Sequence, residues 1–286
     1  MDLWRRSPTM TRSIPAIRSL LFAGASRPDL VAKLAGAGAD AVVIDLEDAV
    51  PAAAKDDARE ALPGLVASVS GPAVFIRVNG PASPWLEPDL AAVRELPVAG
   101  IVLPKVEAAA NLQQVRALAG EEPAIVAGLE SAHGVAAAEA ILDHAPEGAY
   151  FGAEDYIADI GGRRTGGGKE VLFARSRVAL AGRLAGVPLL DQVVVDFRDG
   201  EAFERDALAG RAIGYRGKLC IHPSQVEIAN RVFGATAEEV ERARRLLAAW
   251  ESGAERGVAA VEFEGAMVDG PALRMARDTI ERGGER

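Results

Sequence analysis

Val42-Val43-Ile44-Asp45-Leu46-Glu47-Asp48-Ala49-Val50-Pro51 is the stretch whose reading decides the fold. From Ala41 to Ile44 it is a continuous apolar run, which reads as a strand buried on both faces of a parallel sheet. The run then delivers three carboxylates in four residues: Asp45, Glu47 and Asp48. Acids are disfavoured in strands and repel one another unless a cation, a donor or a proton compensates. In a barrel of alternating strands and helices, catalytic loops follow the C-terminal ends of the strands, so the cluster marks a candidate site. A solvated turn that caps the following helix is the competing reading.

Similar short runs recur on either side. Arg18–Ala23, Ala41–Asp45, Val74–Val78, Gly100–Leu103, Ile125–Leu129, Ala149–Gly152, Gln192–Asp196 and Lys218–Ile221 read as strands. Amphipathic crossovers are expected at Asp29–Gly38, Ala52–Val69, Ala91–Leu96, Ala108–Ala119, Gly134–Asp143, Phe173–Ala185 and Ala202–Gly210. Eight strand-helix repeats predict an α/β fold, a TIM (β/α)8 barrel. An open doubly wound sheet is the alternative, and it would prefer a richer glycine turn than Ala23-Gly24-Ala25 after the first strand. The pattern changes after His222, so we expect an N-terminal tail (1–16), a barrel (17–233) and a C-terminal helical extension (234–286) acting as an oligomer arm or lid. The Thr165–Lys169 stretch, with three consecutive glycines and no P-loop spacing, reads as a mobile active-site loop.

The 286 residues are 49% hydrophobic with a net charge of −9, so no basic excess is available for general nucleic-acid binding. Cys220 is the lone cysteine, which excludes an intramolecular disulfide and a cysteine-based metal cluster. Without a signal-like apolar segment or a membrane-length run, the expectation is a cytoplasmic protein with no membrane partner.

The remaining polar candidates cluster at strand ends. Alternation puts Phe75 and Arg77 on one face of the third strand, and an arginine facing a barrel interior needs an anion, either substrate or the Asp45/Glu47 cluster. Glu130 and Asp155 end adjacent strands, and two carboxylates without cysteine suit a hard divalent ion such as Mg²⁺. Glu154 reads as a supporting partner or a solvated acid, Lys105 as a lysine facing anions, and His133 and His222 as loop-orienting residues.

Eight motifs occur together and in order: RSLLFAGASRP (18–28), VVIDLEDAVP (42–51), VFIRVNG (74–80), IVLPKVE (101–107), GLESAHG (128–134), YFGAEDYIADIGG (150–162), GKLCIHPSQ (217–225) and GAMVDGPAL (265–273). Through them the chain resembles the citrate lyase β-subunit-like and malyl-CoA lyase group of the HpcH/HpaI aldolase superfamily. The resemblance implies a Mg²⁺-dependent carbon–carbon lyase that cleaves or forms a 3-hydroxyacyl-CoA thioester, with an acyl-CoA and a 2-oxo acid as the other partners. It implies Glu130 and Asp155 as metal ligands, Glu130 also contacting substrate, and Arg77 as the residue that binds a substrate oxygen. Asp45 and Glu47 would support Arg77, Phe22, Arg27 and Lys33 would contact coenzyme A, and Asp269 would be an acid/base inserted from a neighbouring subunit. Relatives are typically homotrimers, so a homotrimer or a dimer of trimers is expected. Relatives commonly carry a Val-Pro-Gly-type turn where this chain has Ala23-Gly24-Ala25. A CoA-independent aldolase, malate-synthase-like or thioesterase chemistry, and a β-type subunit needing partner chains are the alternatives.

Overall fold

In the computed structural model, eight parallel strands pair in sequence order and close on themselves as β1 meets β8. They are β1 (Ser19–Gly24), β2 (Ala41–Asp45), β3 (Ala73–Arg77), β4 (Gly100–Leu103), β5 (Ala124–Leu129), β6 (Gly148–Phe151), β7 (Leu189–Asp191) and β8 (Gly217–Cys220). The structure describes residues 16–120, 123–254 and 260–284. Helices shield the strands from outside, which is why most strand residues are apolar on both faces. The helices are α1 (Pro28–Val31), α2 (Lys55–Ala67), α3 (Leu86–Val93), α4 (Ala109–Ala119), α5 (Ala132–Ala136), α6 (Ala138–Leu142), α7 (Ala153–Asp159), α8 (Lys169–Ala185), α9 (Gly200–Ala212) and α10 (Pro223–Phe233).

One inward side chain from each strand fills the barrel: Leu20, Val43, Phe75, Val102, Val126, Tyr150, Leu190 and Leu219. With a period of two, the next inward positions toward the C-terminal end are Phe22, Asp45, Arg77 and Gly128. An apolar plug thus carries a polar layer above it. Gly128 is required there, because a Cβ would lie 2.5 Å from the Tyr150 ring carbon Cζ.

Three expectations about local structure need correction. The seventh strand is Leu189–Asp191, and the Val193–Val195 run that suggested Gln192–Asp196 lies in the following loop. Buried ion pairs from Asp191 to Arg175 and Lys218 fix that strand upstream of the valines, despite their β propensity. The Asp29–Gly38 segment is only one helical turn, started by Pro28, followed by a short 3₁₀ turn (Ala35–Ala37) and stopped at Gly38 with φ +73°. The fifth crossover is split into α5 and α6 around Ala137, and α7 was not expected. At the near end of the glycine stretch, Glu170 accepts from the Thr165 amide (3.1 Å) and pairs with Arg164 (2.7 Å).

The chain divides into two compact units, one through Asn230 and one from Arg231. The second contains α11 (Ala237–Ala254), a hairpin of β9 (Val261–Phe263) and β10 (Ala266–Val268), and α12 (Gly270–Gly284). Its own core is Ala243, Leu246, Val268, Leu273 and Ala276. The hairpin turns through Glu264 and Gly265, both at positive φ, and Glu264 pairs with Arg242 (2.7 Å) and Arg245 (3.2 Å). Among the described residues, no helix is long and apolar enough to cross a membrane.

Candidate active site

The opening stretch places Asp45 at the top of β2, directly opposite Arg77 on β3 in the strand register. The guanidinium meets Asp45 in a bidentate pair, Nε to Oδ1 at 2.6 Å and Nη2 to Oδ2 at 2.7 Å. Asp45 is fixed from its own loop as well, because Oδ1 accepts from the Glu47 amide (2.8 Å) and Oδ2 from the Ala49 amide (3.1 Å). Burial works against the Arg77 charge, but the hydrogen bonds and charge of Asp45 outweigh it and hold the guanidinium firmly protonated. Asp45 consumes two of the five guanidinium hydrogens, which leaves Nη1 and part of Nη2 for other oxygens. Nη1 lies 3.2 Å from Glu47 Oε2, yet that buried oxygen has no hydrogen-bond partner.

Glu47 is buried, and its other oxygen pairs with Lys105 Nζ. Burial raises its carboxyl above the ordinary range, against the pull of Arg77 and Lys105. Asp48 is more exposed, 3.5 Å from the same ammonium.

Glu130 directly follows β5 and is buried. Its Oε1 accepts from the Lys105 amide (2.7 Å) and from the Tyr150 hydroxyl (3.3 Å). Burial first, then the charges of Asp155 and Glu47, pushes its carboxyl up to about 7. Gly152 makes room for it: a Cβ there would lie 2.5 Å from Glu130 Cβ. Asp155 sits in the first turn of α7, half-buried, and lines the same cavity as Glu47, Lys105 and Glu130. That cavity measures about 650 Å³, and a second of about 260 Å³ is lined by Phe22, Gly24, Asp45, Arg77 and Tyr150.

The donor set fits a hard divalent ion. Glu130 and Asp155 line one cavity without cysteine or histidine beside them, the Asp155 charge opposes ionisation of Glu130, and Glu47 Oε2 is buried without a partner. Among the described residues no group of three or more ligating side chains is present, and an ion here would be held by the two carboxylates together with water and substrate oxygens.

Of the other residues singled out in the sequence, Phe22 packs under the Arg77 guanidinium at 5.4 Å. Arg27 is exposed and pairs with Asp29 (2.8 Å), and Lys33 is exposed on the turn after α1. Asp269 is exposed on the second unit, at the residue before α12, with its carbonyl accepting from the Leu273 amide. Glu154 pairs with Arg164 (2.8 Å), and His222 stacks on Phe197 at 4.7 Å and meets Ser224 Oγ (2.8 Å). Two contributions were missed. Tyr150, which strand parity alone turns inward, donates its hydroxyl to Glu130. The Lys105 backbone takes a left-handed φ of +55°, which aims its amide at Glu130; no sequence signal marks that.

Residues 18–223 match the family model described as HpcH/HpaI aldolase/citrate lyase. A citrate lyase subunit β-like protein of Deinococcus radiodurans is 50% identical over 275 residues, covering 92% of this chain and 96% of the relative. A (3S)-malyl-CoA thioesterase of Cereibacter sphaeroides is 33% identical over 276 residues, 96% of each chain. The crystal structure of protein CitE from Mycobacterium tuberculosis in complex with magnesium, acetoacetate and coenzyme A superposes with a TM-score of 0.80 at 34% identity, covering 94% of this chain and 98% of that one. The eight-stranded barrel with its carboxylate-lined C-terminal face therefore belongs to the HpcH/HpaI aldolase/citrate lyase family.

Proposed function

We propose that this chain is a Mg²⁺-dependent carbon–carbon lyase that cleaves, or in reverse forms, a 3-hydroxyacyl-CoA thioester of the malyl-, citramalyl- or citryl-CoA type. The observation that carries the reading is the convergence of two carboxylates, Glu130 and Asp155, with the Asp45-anchored Arg77 on one barrel face. Glu130 and Asp155 hold the ion, which when bound supplies Lewis-acid polarisation of a carbonyl oxygen. Arg77 donates its unused hydrogens to the substrate oxygen as negative charge grows there, and Asp45 keeps the guanidinium from turning away. Glu47, with one oxygen unpartnered, takes the proton of the 3-hydroxyl as the carbon–carbon bond breaks. The bonding electrons pass to the thioester α-carbon, and Asp269 of a neighbouring copy protonates it. In the condensing direction the same acid removes that proton.

The smaller cavity beside Phe22 suits the thioester, with Arg27 and Lys33 toward the coenzyme A phosphates. The working form is a homotrimer, or a dimer of trimers. Similarity to a malyl-CoA thioesterase favours hydrolysis as the second reading. A product assay separates them: lysis releases a 2-oxo acid and no thiol, whereas hydrolysis releases free thiol and the hydroxy acid. The purified protein with Mg²⁺ and a panel of 3-hydroxyacyl-CoA esters is expected to yield 2-oxo acid, and EDTA is expected to stop it. Thiol without 2-oxo acid would favour the hydrolase, and turnover only of CoA-free hydroxy-oxo acids would sink the lyase reading. Mixing Asp269→Ala with Arg77→Ala protein is expected to restore part of the activity, and failure despite proven subunit exchange would refute the role across subunits.

A further inference from the structure

The larger cavity extends beyond Glu130 and Asp155 over the loop that follows β3, where Val50, Pro81 and Trp85 form apolar wall beside the carboxylates of Asp48, Glu107 and Asp159. Its two cations are committed. Lys55 Nζ donates all three hydrogens, to the carbonyl oxygens of Leu46 (2.6 Å) and Glu47 (2.8 Å) and to Asn79 Oδ1 (2.8 Å). Lys105 Nζ serves Glu47 and Asp48. Asn79 spends its amide hydrogens on Leu46 O and Asp89 Oδ2. No arginine lines the wall among the described residues. The space next to the carboxylate pair thus joins apolar wall and carboxylates, with the Ser131 hydroxyl spent on Glu107 (2.7 Å) and Ser83 a neutral hydroxyl, and lacks the planar fork that recognises a second carboxylate.

Resting on the function proposed above and narrowing it to citramalyl-CoA and its longer-tailed homologues, we propose that this cavity takes the tail of the 2-oxo acid and selects monocarboxylic acids with an alkyl tail over dicarboxylic ones, with Trp85 and Asp48 as specificity-determining residues. Arg77 and Phe22 open onto the smaller cavity, so the larger one is left for the oxo acid's far end. An alkyl tail gains by covering Trp85, whose indole face already carries the Lys55 ammonium at 5.1 Å. A tail ending in a carboxylate meets the exposed carboxylates of Asp48, Glu107 and Asp159 at the cavity rim instead, and like charges there repel.

The test is binding of 2-oxo acids to the full chain in Mg²⁺ without any thioester, by titration calorimetry. 2-Oxopentanoate and 2-oxoglutarate have the same carbon count and differ in the terminal carboxylate. 2-Oxopentanoate is expected to bind at least tenfold more tightly than 2-oxoglutarate and more tightly than pyruvate. Asp48→Asn is expected to narrow the first gap, and Trp85→Ala to lower the ratio of 2-oxopentanoate to pyruvate affinity. Because the ligand comparison is made on the unaltered protein, it stands even if a variant fails to fold. Pyruvate binding with equal or tighter binding of 2-oxoglutarate would overturn this inference alone. Absence of binding by every 2-oxo acid would overturn the lyase reading and this inference with it.

Discussion

Replacing Glu130 by glutamine separates the electrostatic cost of the site from its packing. In the ion-free folded chain Glu130 keeps its proton up to about pH 7, while an ordinary carboxyl releases it near 4.5. Between those values the folded state binds more protons than the unfolded state, so this residue's contribution to stability falls as pH rises. The loss is complete above about 7 and amounts to about 3 kcal/mol. Glutamine does not titrate, and its carbonyl still accepts from the Lys105 amide and Tyr150 hydroxyl that serve Oε1 in the parent. The stability of Glu130→Gln relative to the parent is therefore expected to rise by about 3 kcal/mol between pH 4.5 and 8, measured by urea unfolding in EDTA. At pH 8, added Mg²⁺ is expected to stabilise the parent and leave the variant unmoved. A stability difference that stays constant with pH would refute the reasoning, since the buried carboxylate would then not be the group that titrates.

Other perturbations probe its surroundings. Gly152→Ala pushes a methyl group into Glu130 and is expected to weaken Mg²⁺ binding by roughly tenfold or more while the far-ultraviolet dichroism stays parental. Below pH 7, Mg²⁺ affinity of the parent is expected to fall as protons compete for Glu130, and a flat calorimetric profile from pH 5 to 8 would contradict this. Lys218 is fully buried, pairs with Asp191 (2.9 Å) and Asp206 (2.5 Å), and donates to Gln192 O (2.7 Å). Lys218→Met leaves those acids short of a cation, and chemical denaturation is expected to show a loss of about 3–5 kcal/mol.

Local signals carried much of the fold into view. Ala41–Asp45 and Gly100–Leu103 were readable to the residue because buried parallel strands are apolar runs with definite ends. The seventh strand was not, since ion pairs from α8 and β8 to Asp191 decide its position, and partners separated by 16 and 27 residues leave no local trace. The polar layer was legible in part. Acids at or just past the ends of apolar strands stand out, which exposed Asp45, Glu47, Glu130 and Asp155, and strand parity pointed Arg77 inward. The left-handed backbone of Lys105 and the glycines that admit Tyr150 and Glu130 are consequences of three-dimensional crowding, so they emerge only with the barrel closed. The opening acids also divide by role in space: Asp45 anchors Arg77, Glu47 bridges Arg77 and Lys105, and Asp48 stays at the rim.

Pyruvate binding with and without Mg²⁺, in the parent and in Asp155→Ala, tests most directly whether the carboxylate pair beside Arg77 is a metal-assisted carbonyl site. The expected result is calorimetric binding by the parent only when Mg²⁺ is present, and none by Asp155→Ala under either condition. Equal binding in EDTA, or undiminished Mg²⁺-dependent binding by Asp155→Ala, would contradict it.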